Sequence, residues 1–154
     1  MAKLLVSACL AGVPCRYDGA AKTAPDLVAL VESGEAVPFC AEVAGGLDTP
    51  RRPAEIVAGD GEAVLDGRAR VVDDHGTDVT ERFIAGARLA FVTAQEHGIG
   101  EAVLMARSPS CGCGEIYDGT FTGGRRAGLG VTAALLRRNG VSVRSADQPP
   151  DSPA

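Results

Sequence analysis

The fold of this chain is decided by the stretch Met105-Ala106-Arg107-Ser108-Pro109-Ser110-Cys111-Gly112-Cys113-Gly114. An apolar run at 102–104 comes directly before it and predicts a buried strand. The strand ends at the Ser-Pro-Ser turn, because proline lacks an amide donor and holds the residue before it in an extended conformation. Glycines beside the two cysteines let the backbone approach a bulky group closely. The stretch is therefore a strand that leads into a cysteine-bearing loop.

Two earlier segments share this design. Residues 4–8 run straight into Cys9, and residues 36–39 run straight into Cys40. The carboxyl ends of parallel strands open on one crevice, which is where ligands bind in open α/β sheets. We therefore expect Cys9, Cys40 and Cys111 to meet there.

Composition narrows the class of protein. The chain has 154 residues, of which 45% are hydrophobic and 4% aromatic, so its core is built from Ala, Val and Leu. A net charge of −5 argues against broad, nonspecific nucleic-acid binding. No apolar run reaches the ~18 residues that cross a bilayer. Between Lys3 and Cys9 the chain also lacks room for the apolar region of ~7–15 residues that a signal peptide needs. Five cysteines in such a chain predict thiols in the cytoplasm rather than disulfides.

Strands and helices alternate along the chain, which predicts an α/β fold with a mainly parallel sheet. We predict strands at 3–8, 36–40, 101–106 and 141–143. Helices are predicted at 25–33, 78–97 and 127–138. Together they form a single three-layer, Rossmann-like domain over residues 1–147. Residues 148–154 are rich in proline and are predicted to be a disordered tail.

The remaining segments are predicted to connect these elements. Residues 41–55 and 114–126 are rich in turn-forming residues and are predicted to be long loops. Three β-like pieces separated by glycines, at 56–57, 63–65 and 70–72, predict a small β-hairpin excursion from the main sheet.

The cysteines give the strongest chemical signal. They do not form the Cys-x-x-Cys pairs of common zinc sites, and both histidines fall outside the cysteine loops. Three thiolates on separate loops can hold a cubane iron–sulfur cluster through three of its irons. The fourth iron then stays open and acts as a Lewis acid. The alternative is that some of the cysteines are simply small buried hydrophobic residues.

One carboxylate follows a candidate ligand closely. Glu42 lies two residues after Cys40, so in an extended segment both side chains would point to the same side. There the carboxylate could activate water as a general base. The competing interpretation is an ion pair between Glu42 and either Arg51 or Arg52.

Two serines flank Pro109 in the decisive stretch. Ser108 and Ser110 are candidates to donate hydrogen bonds to a substrate or to cluster sulfides. The competing interpretation is that Ser-Pro-Ser is only a turn.

Six motifs occur in an order that points to a family. They are Ser7-Ala8-Cys9-Leu10, Cys15-Arg16-Tyr17-Asp18-Gly19, Gly45-Gly46-Leu47 with Pro50-Arg51, Asp78-Val79-Thr80, Ser108-Pro109-Ser110-Cys111-Gly112 and Tyr117-Asp118-Gly119-Thr120-Phe121. Over residues 4–145 the chain resembles a family of small, mostly bacterial proteins long catalogued as a domain of unknown function. That family includes thiouracil desulfidase and a transfer-RNA thiouridine desulfidase.

The resemblance implies an α/β fold and a [4Fe–4S] cluster held by Cys9, Cys40 and Cys111. The implied activity is the non-redox removal of sulfur from a thiolated pyrimidine, a base or a nucleotide, with release of hydrosulfide. Glu42 and a serine of the turn, Ser108 or Ser110, would handle water and protons.

The chain departs from the family pattern at two positions. Ala41 stands where the family usually has proline, which loosens the backbone between Cys40 and Glu42. Met105 stands where the family commonly has lysine, which bears on the choice of an anionic substrate. The transfer-RNA enzyme also carries a second domain that this chain lacks. Together with the acidic pI, this favours a free base or nucleotide over intact RNA.

Two rival functions belong to other classes. Cys15 and Cys113 are extra thiols near the proposed ligands, as in a cluster-binding or metal-binding redox sensor. A persulfide carrier would instead use one activated cysteine without metal.

Overall fold

Helices and short strands alternate along the chain, as the sequence pattern predicts. The computed structural model describes residues 4–147. Its elements are β1 (Leu4–Ser7), a 3-10 helix (Ala8–Ala11), α1 (Pro25–Glu32), β2 (Ala36–Phe39), α2 (Ala41–Ala44), β3 (Ala54–Val57), α3 (Gly61–Leu65), β4 (Arg70–Asp73), α4 (Thr80–Glu96), β5 (Glu101–Leu104), β6 (Glu115–Tyr117), β7 (Arg125–Ala127), α5 (Val131–Arg138) and β8 (Ser142–Ser145).

The main sheet has four strands in the order β2-β1-β5-β8, and every neighbouring pair is parallel. Its central strand, β1, pairs with β2 from Leu4 to Ser7 and with β5 from Leu4 to Val6. The predicted α/β class with a mainly parallel sheet is confirmed. All four strands point the same way, so their carboxyl ends share one edge of the sheet.

Helices cover both faces of this sheet. Successive residues of a strand point to opposite faces, and in β1 Leu5 and Val6 enter different core clusters. Leu5 packs with small and apolar residues of α4 and α5, whereas Val6 packs with Leu27 of α1. The result is the predicted three-layer arrangement. Much of the α4 contact is made by alanines, including Ala90 and Ala94, which let helix and sheet approach closely.

Two antiparallel hairpins lie outside the main sheet. β3 pairs with β4, as the predicted hairpin excursion requires, and β6 pairs with β7. Between β3 and β4 the prediction of a β-like piece at 63–65 is wrong. These residues belong to α3, whose N-terminus is capped by Asp60 accepting the amide of Ala63 at 3.0 Å.

Residues 41–55 are not wholly a loop, because 41–44 form α2. This short helix packs on α4 where Gly86 has no side chain. A Cβ added at Gly86 would lie 1.9 Å from the carbonyl oxygen of Ala41. The helix therefore depends on a tertiary contact that local sequence does not reveal.

Other boundaries also differ from the predictions. Residues 114–126 are not a simple loop, since they carry β6 and the start of β7. The last helix begins at Val131 rather than at 127. The segment before it is extended and contains Gly128, whose φ is 154°. The first strand ends at Ser7 and the third main strand at Leu104. The predicted tail at 148–154 lies outside the described residues. Among residues 4–147, no helix combines the length and the apolarity that crossing a bilayer requires.

Candidate active site

A cavity of about 350 Å³ opens at the carboxyl ends of the main-sheet strands. This volume falls within the ~300–1,000 Å³ of typical ligand sites. Cys9, Cys40 and Cys111 all line it, together with Cys15. The structure therefore brings together the three thiols that the strand-end argument selected and adds a fourth.

Each of the three thiols is placed by a change of backbone direction at a strand end. Cys9 lies in the 3-10 helix that follows β1, and Cys40 is the residue between β2 and α2. Cys111 lies farther from its strand, seven residues after the end of β5. Parallel pairing of the strands carries these three segments to the same edge.

The Cys111 loop is held by the N-terminus of α5. The first amides of a helix lack partners within the helix, and here they bond to the loop. The amides of Val131 and Thr132 donate to the carbonyls of Pro109 and Ser110, both at 2.8 Å. A Cβ at Gly130 would lie 2.5 Å from the Ser110 backbone, so only glycine permits this approach.

Cys9 and Cys15 are buried and Cys40 and Cys111 are half-buried, and burial disfavours the thiolate. All five cysteines lie within residues 4–147 and are free thiols. Burial raises the pKa of Cys111 to about 12 and also raises the pKa of Cys9. For Cys15, burial and the neighbouring Cys40 raise the pKa to about 12. Binding iron would therefore displace protons from these groups.

The donor set fits an iron–sulfur cluster better than a single ion. Within residues 4–147, no group of three or more His, Cys, Asp or Glu side chains converges where one metal ion would bind. A cubane cluster makes a different demand, because each thiolate binds its own iron. Several separate thiols around one cavity, with no histidine among the lining residues, meet that demand.

The two remaining cysteines have different surroundings. The Cys40 thiol donates to the backbone carbonyl of Cys15 at 3.8 Å within the cavity wall. Cys113 is buried but does not line the cavity, and its Sγ atom lies 3.5 Å from the carbonyl oxygen of Val143. Cys113 therefore packs against the β8 strand, on the core side of the loop.

Glu42 lies in the first turn of α2 and lines the cavity. Arg51 donates from Nε to Glu42 Oε1 at 3.1 Å. Burial raises the pKa of Glu42, while the Arg51 charge and a hydrogen bond from Ser108 oppose that rise. The ion pair offered as a competing explanation of Glu42 is present, and it holds the carboxylate at the cavity wall.

Arg51 joins three segments of the wall. Besides Glu42, its guanidinium donates to the carbonyls of Cys15 at 2.9 Å and Asp48 at 3.0 Å. Its backbone amide donates to the Tyr17 carbonyl at 2.7 Å. Only 8% of the side chain is exposed. A planar guanidinium with five donors can satisfy these partners at once, which lysine cannot.

The two serines of the turn have separate environments. Ser108 lines the cavity and its Oγ accepts the amides of Ser110 and Cys111, both at 3.0 Å. With both lone pairs occupied, its hydrogen is left to donate. Ser110 is buried outside the cavity lining, and its Oγ bonds to Thr132 Oγ1 at 2.7 Å. This geometry places Ser108, and not Ser110, beside Glu42.

Three lining residues escaped the sequence argument, namely Ser7, Lys22 and Arg107, and Glu55 also lines the cavity. Arg107 has a φ of 65°, a rare conformation for a residue with a side chain. Glu55 accepts the amides of Gly119 at 2.9 Å and Phe121 at 3.2 Å, which ties the β6–β7 turn to β3. The sequence could have indicated Ser7, because it lies at the end of the strand that leads to Cys9.

Comparison with known proteins identifies the family of the chain. The family model for 2-thiouracil desulfurase matches residues 4–148. The uncharacterized protein YbbK of Bacillus subtilis (strain 168) is 46% identical over 145 residues, which cover 94% of this chain and 96% of YbbK. The solved structure of TudS, a [4Fe–4S]-dependent thiouracil desulfidase, superposes with a TM-score of 0.85 at 49% identity. That match covers 98% of this chain and 95% of TudS. The family resemblance seen in the sequence motifs is confirmed.

Loss of the Arg51 side chain is expected to destabilise the metal-free protein. In Arg51→Met, the Glu42 carboxylate and two backbone carbonyls lose their donor. We expect the free energy of unfolding to fall by about 2–3 kcal/mol, below the ~3–5 of a fully buried pair because Glu42 is partly exposed. Urea denaturation measures the change. Arg52→Met is the matched control, because Arg52 pairs with Asp74 at an exposed position and should have a much smaller effect. Equal effects of the two substitutions would contradict this account.

Proposed function

The chain belongs to the 2-thiouracil desulfurase family, and on that basis we propose that it is a [4Fe–4S]-dependent desulfidase of thiolated pyrimidines. Water replaces the sulfur of a C=S group, which leaves the oxo-pyrimidine and hydrosulfide. No electron is gained or lost in this exchange. The observation that supports this proposal most strongly is that the thiols of three segments that follow strands share one cavity with Glu42 and Ser108.

We assign the cluster to Cys9, Cys40 and Cys111. When bound, the cluster supplies an iron with an open coordination position, which acts as a Lewis acid toward sulfur. Cys9 and Cys40 directly follow the ends of β1 and β2, and the Cys111 loop is held by the N-terminus of α5, which supports a fixed cluster position. Cys15 lies against Cys40 and is assigned no ligand role.

Glu42 is assigned the role of general base. Its carboxylate lies in the cavity wall and accepts a proton from the attacking water. Arg51 holds the carboxylate through Oε1. Ser108 is oriented by the two amides that its oxygen accepts, and we assign its hydroxyl hydrogen to the Glu42 carboxylate, whose pKa it lowers. The pair can therefore bind water and move its proton without rearranging the backbone.

The charge of the cavity favours the nucleotide form of the substrate. Four cationic side chains line it, Arg16, Lys22, Arg51 and Arg107, against two carboxylates. Arg51 and Arg107 are engaged by carboxylates, whereas neither Arg16 nor Lys22 makes an ion pair with a carboxylate of residues 4–147. We propose that these two cations bind a phosphate group of the substrate. They supply positive charge to a cavity in which Met105 contributes none.

Cellular context follows from the same chemistry. We place the protein in the cytoplasm, where reducing conditions keep cysteines available as thiols. A free base or nucleotide is proposed as substrate rather than intact transfer RNA.

The rival function, a persulfide carrier, needs a thiol with a lowered pKa. Burial instead raises the pKa of Cys9, Cys15 and Cys111.

Protein purified without oxygen or reconstituted with iron and sulfide is expected to be brown, with about four irons per chain. It should release sulfide from 2-thiouracil, 4-thiouracil or 4-thio-UMP. Serine substitutions at Cys9, Cys40 and Cys111 should each abolish both the visible absorption and sulfide release. Cys113→Ser, outside the cavity, is the control and should keep both. A colourless protein that resists reconstitution would overturn the proposed function, and an active, brown Cys40→Ser variant would overturn the ligand assignment.

Substitutions of Glu42 and of the two serines are expected to differ in their effect on the kcat of sulfide release. Glu42→Gln should lower kcat by about 10²–10⁴-fold, the usual contribution of a general base, with iron content unchanged. Ser108→Ala should lower kcat in the same direction, since Glu42 loses its hydroxyl partner. Ser110→Ala is the matched control and should leave kcat within a few-fold of the wild type. Steady-state sulfide release at equal iron loading measures all three, and a loss at Ser110 equal to that at Ser108 would refute the assignment.

Phosphate recognition can be separated from chemistry. In the double variant Arg16→Gln and Lys22→Gln, KM for 4-thio-UMP should rise by about tenfold or more, which corresponds to 1.4 kcal/mol or more. KM for 4-thiouracil should be nearly unchanged, because the base has no phosphate. Arg126→Gln, at an exposed position outside the cavity lining, is the charge-matched control. Equal changes for base and nucleotide would show that these cations do not bind phosphate.

A further inference from the structure

Both tyrosines of the chain line the cavity, and the proposed mechanism uses neither of them. Tyr17 comes from the loop between β1 and α1, and Tyr117 is the last residue of β6. Aromatic residues make up only 4% of the chain, which has no tryptophan. The presence of both tyrosines at one cavity therefore calls for an explanation.

The Tyr17 side chain is held in place without being buried. The residue is 42% exposed, yet the backbone around it is fixed by Arg51. The Arg51 guanidinium donates to the Cys15 carbonyl at 2.9 Å, and the Arg51 amide donates to the Tyr17 carbonyl at 2.7 Å. The turn then closes where the Gly19 amide donates to the Arg16 carbonyl at 2.8 Å. An exposed aromatic ring on a fixed backbone offers contact area to a ligand at a low cost in conformational entropy.

Tyr117 reaches the cavity because side chains alternate along β6. Ile116 is buried in the core, so the next side chain points to the other side of the strand. There Tyr117 is half-buried and lines the cavity. Its cross-strand partner is Arg125, whose guanidinium carbon lies 5.9 Å from the ring centroid. Arg125 does not line the cavity, so this cation steadies the ring from a side that the cavity does not share.

The hydroxyl groups do not account for the two tyrosines. Among residues 4–147, neither phenol oxygen has a hydrogen-bond partner. What both residues bring to the cavity wall is therefore an aromatic ring. Aromatic side chains bind nucleobases by stacking, which tolerates different bases because every base has a π-face. A thiolated pyrimidine is a planar, conjugated ring of this kind.

We propose that Tyr17 and Tyr117 bind the ring of the substrate by aromatic stacking and so select a planar pyrimidine. This inference rests on the proposed function, because it takes a thiolated pyrimidine as the substrate. Stacking uses the face of the ring and leaves free the edge that carries the C=S group. The two tyrosines thus supply affinity for the base, whereas Arg16 and Lys22 supply affinity for the phosphate.

The test compares KM for 4-thiouracil and for 4-thio-UMP in the reconstituted, full-length protein. Tyr17→Leu and Tyr117→Leu should each raise KM by about fivefold or more, as the loss of a stacking aromatic does. The rise should be equal for base and nucleotide, because both contain the ring. Tyr17→Phe and Tyr117→Phe keep an aromatic ring and should have KM values well below those of the leucine variants. Phe121→Leu is the matched control, because Phe121 is an exposed aromatic residue outside the cavity lining, and it should keep the wild-type KM.

A second measurement needs no substitution. Uracil and 5,6-dihydrouracil carry the same carbonyl and N–H groups, but dihydrouracil lacks the double bond that makes the ring planar and conjugated. As competitive inhibitors of sulfide release by the wild type, uracil should bind about fivefold or more tightly than dihydrouracil. This preference should shrink in each leucine variant.

The outcomes separate this inference from the function beneath it. A wild type that releases no sulfide from either substrate would overturn the proposed function and the inference with it. An active wild type, with a leucine variant at the wild-type KM, would overturn the role of that tyrosine and leave the function intact. Equal inhibition by uracil and dihydrouracil would overturn stacking altogether, whether or not the leucine variants fold. A phenylalanine variant as impaired as its leucine counterpart would also overturn it, because the effect would then belong to the hydroxyl.

Discussion

Parallel pairing of β1 with β2 and β5 is the interaction on which the rest of the structure depends. It places three cysteine-bearing segments at one edge of the sheet, although those segments are far apart in sequence. Parallel strands also require long connections. In this chain the connections supply the other cavity residues, among them Arg16 between β1 and β2 and Arg51 between β2 and β5.

The cavity wall shows how charged groups are held beside buried thiols. Glu42 would be unfavourable there without a partner, and Arg51 provides one while it also ties two loops together. Ser108 lies in the same wall and lowers the pKa of the same carboxylate. A wall built in this way is pre-organised, because Arg51 and Ser108 are themselves oriented by backbone groups. Pre-organised dipoles need little rearrangement when charge moves during a reaction.

Much of this arrangement was predictable, and the errors have a common cause. The strand-end cysteines, the main helices and the parallel sheet follow from apolar periodicity and from proline and glycine positions. The predictions failed at 41–55, 63–65 and 114–126, where short elements form. Elements of three to five residues carry too little periodic signal and are stabilised by contacts such as that of α2 with Gly86 of α4. For the same reason Ser108 and Ser110 could not be told apart until α5 was seen to cover Ser110.

The sequence by itself determined the α/β class, the three strand-end cysteines, the closeness of Glu42 to Cys40 and the family. Those features are local, since they depend on neighbours within a few residues or on motif order. Only the tertiary structure decided that Arg51 binds Glu42, that Ser108 faces the cavity and that Ser7 accepts the amide of Met105. These contacts join residues up to 98 positions apart, and they exist because parallel strands bring distant segments to one edge, where burial obliges each polar group to find a partner.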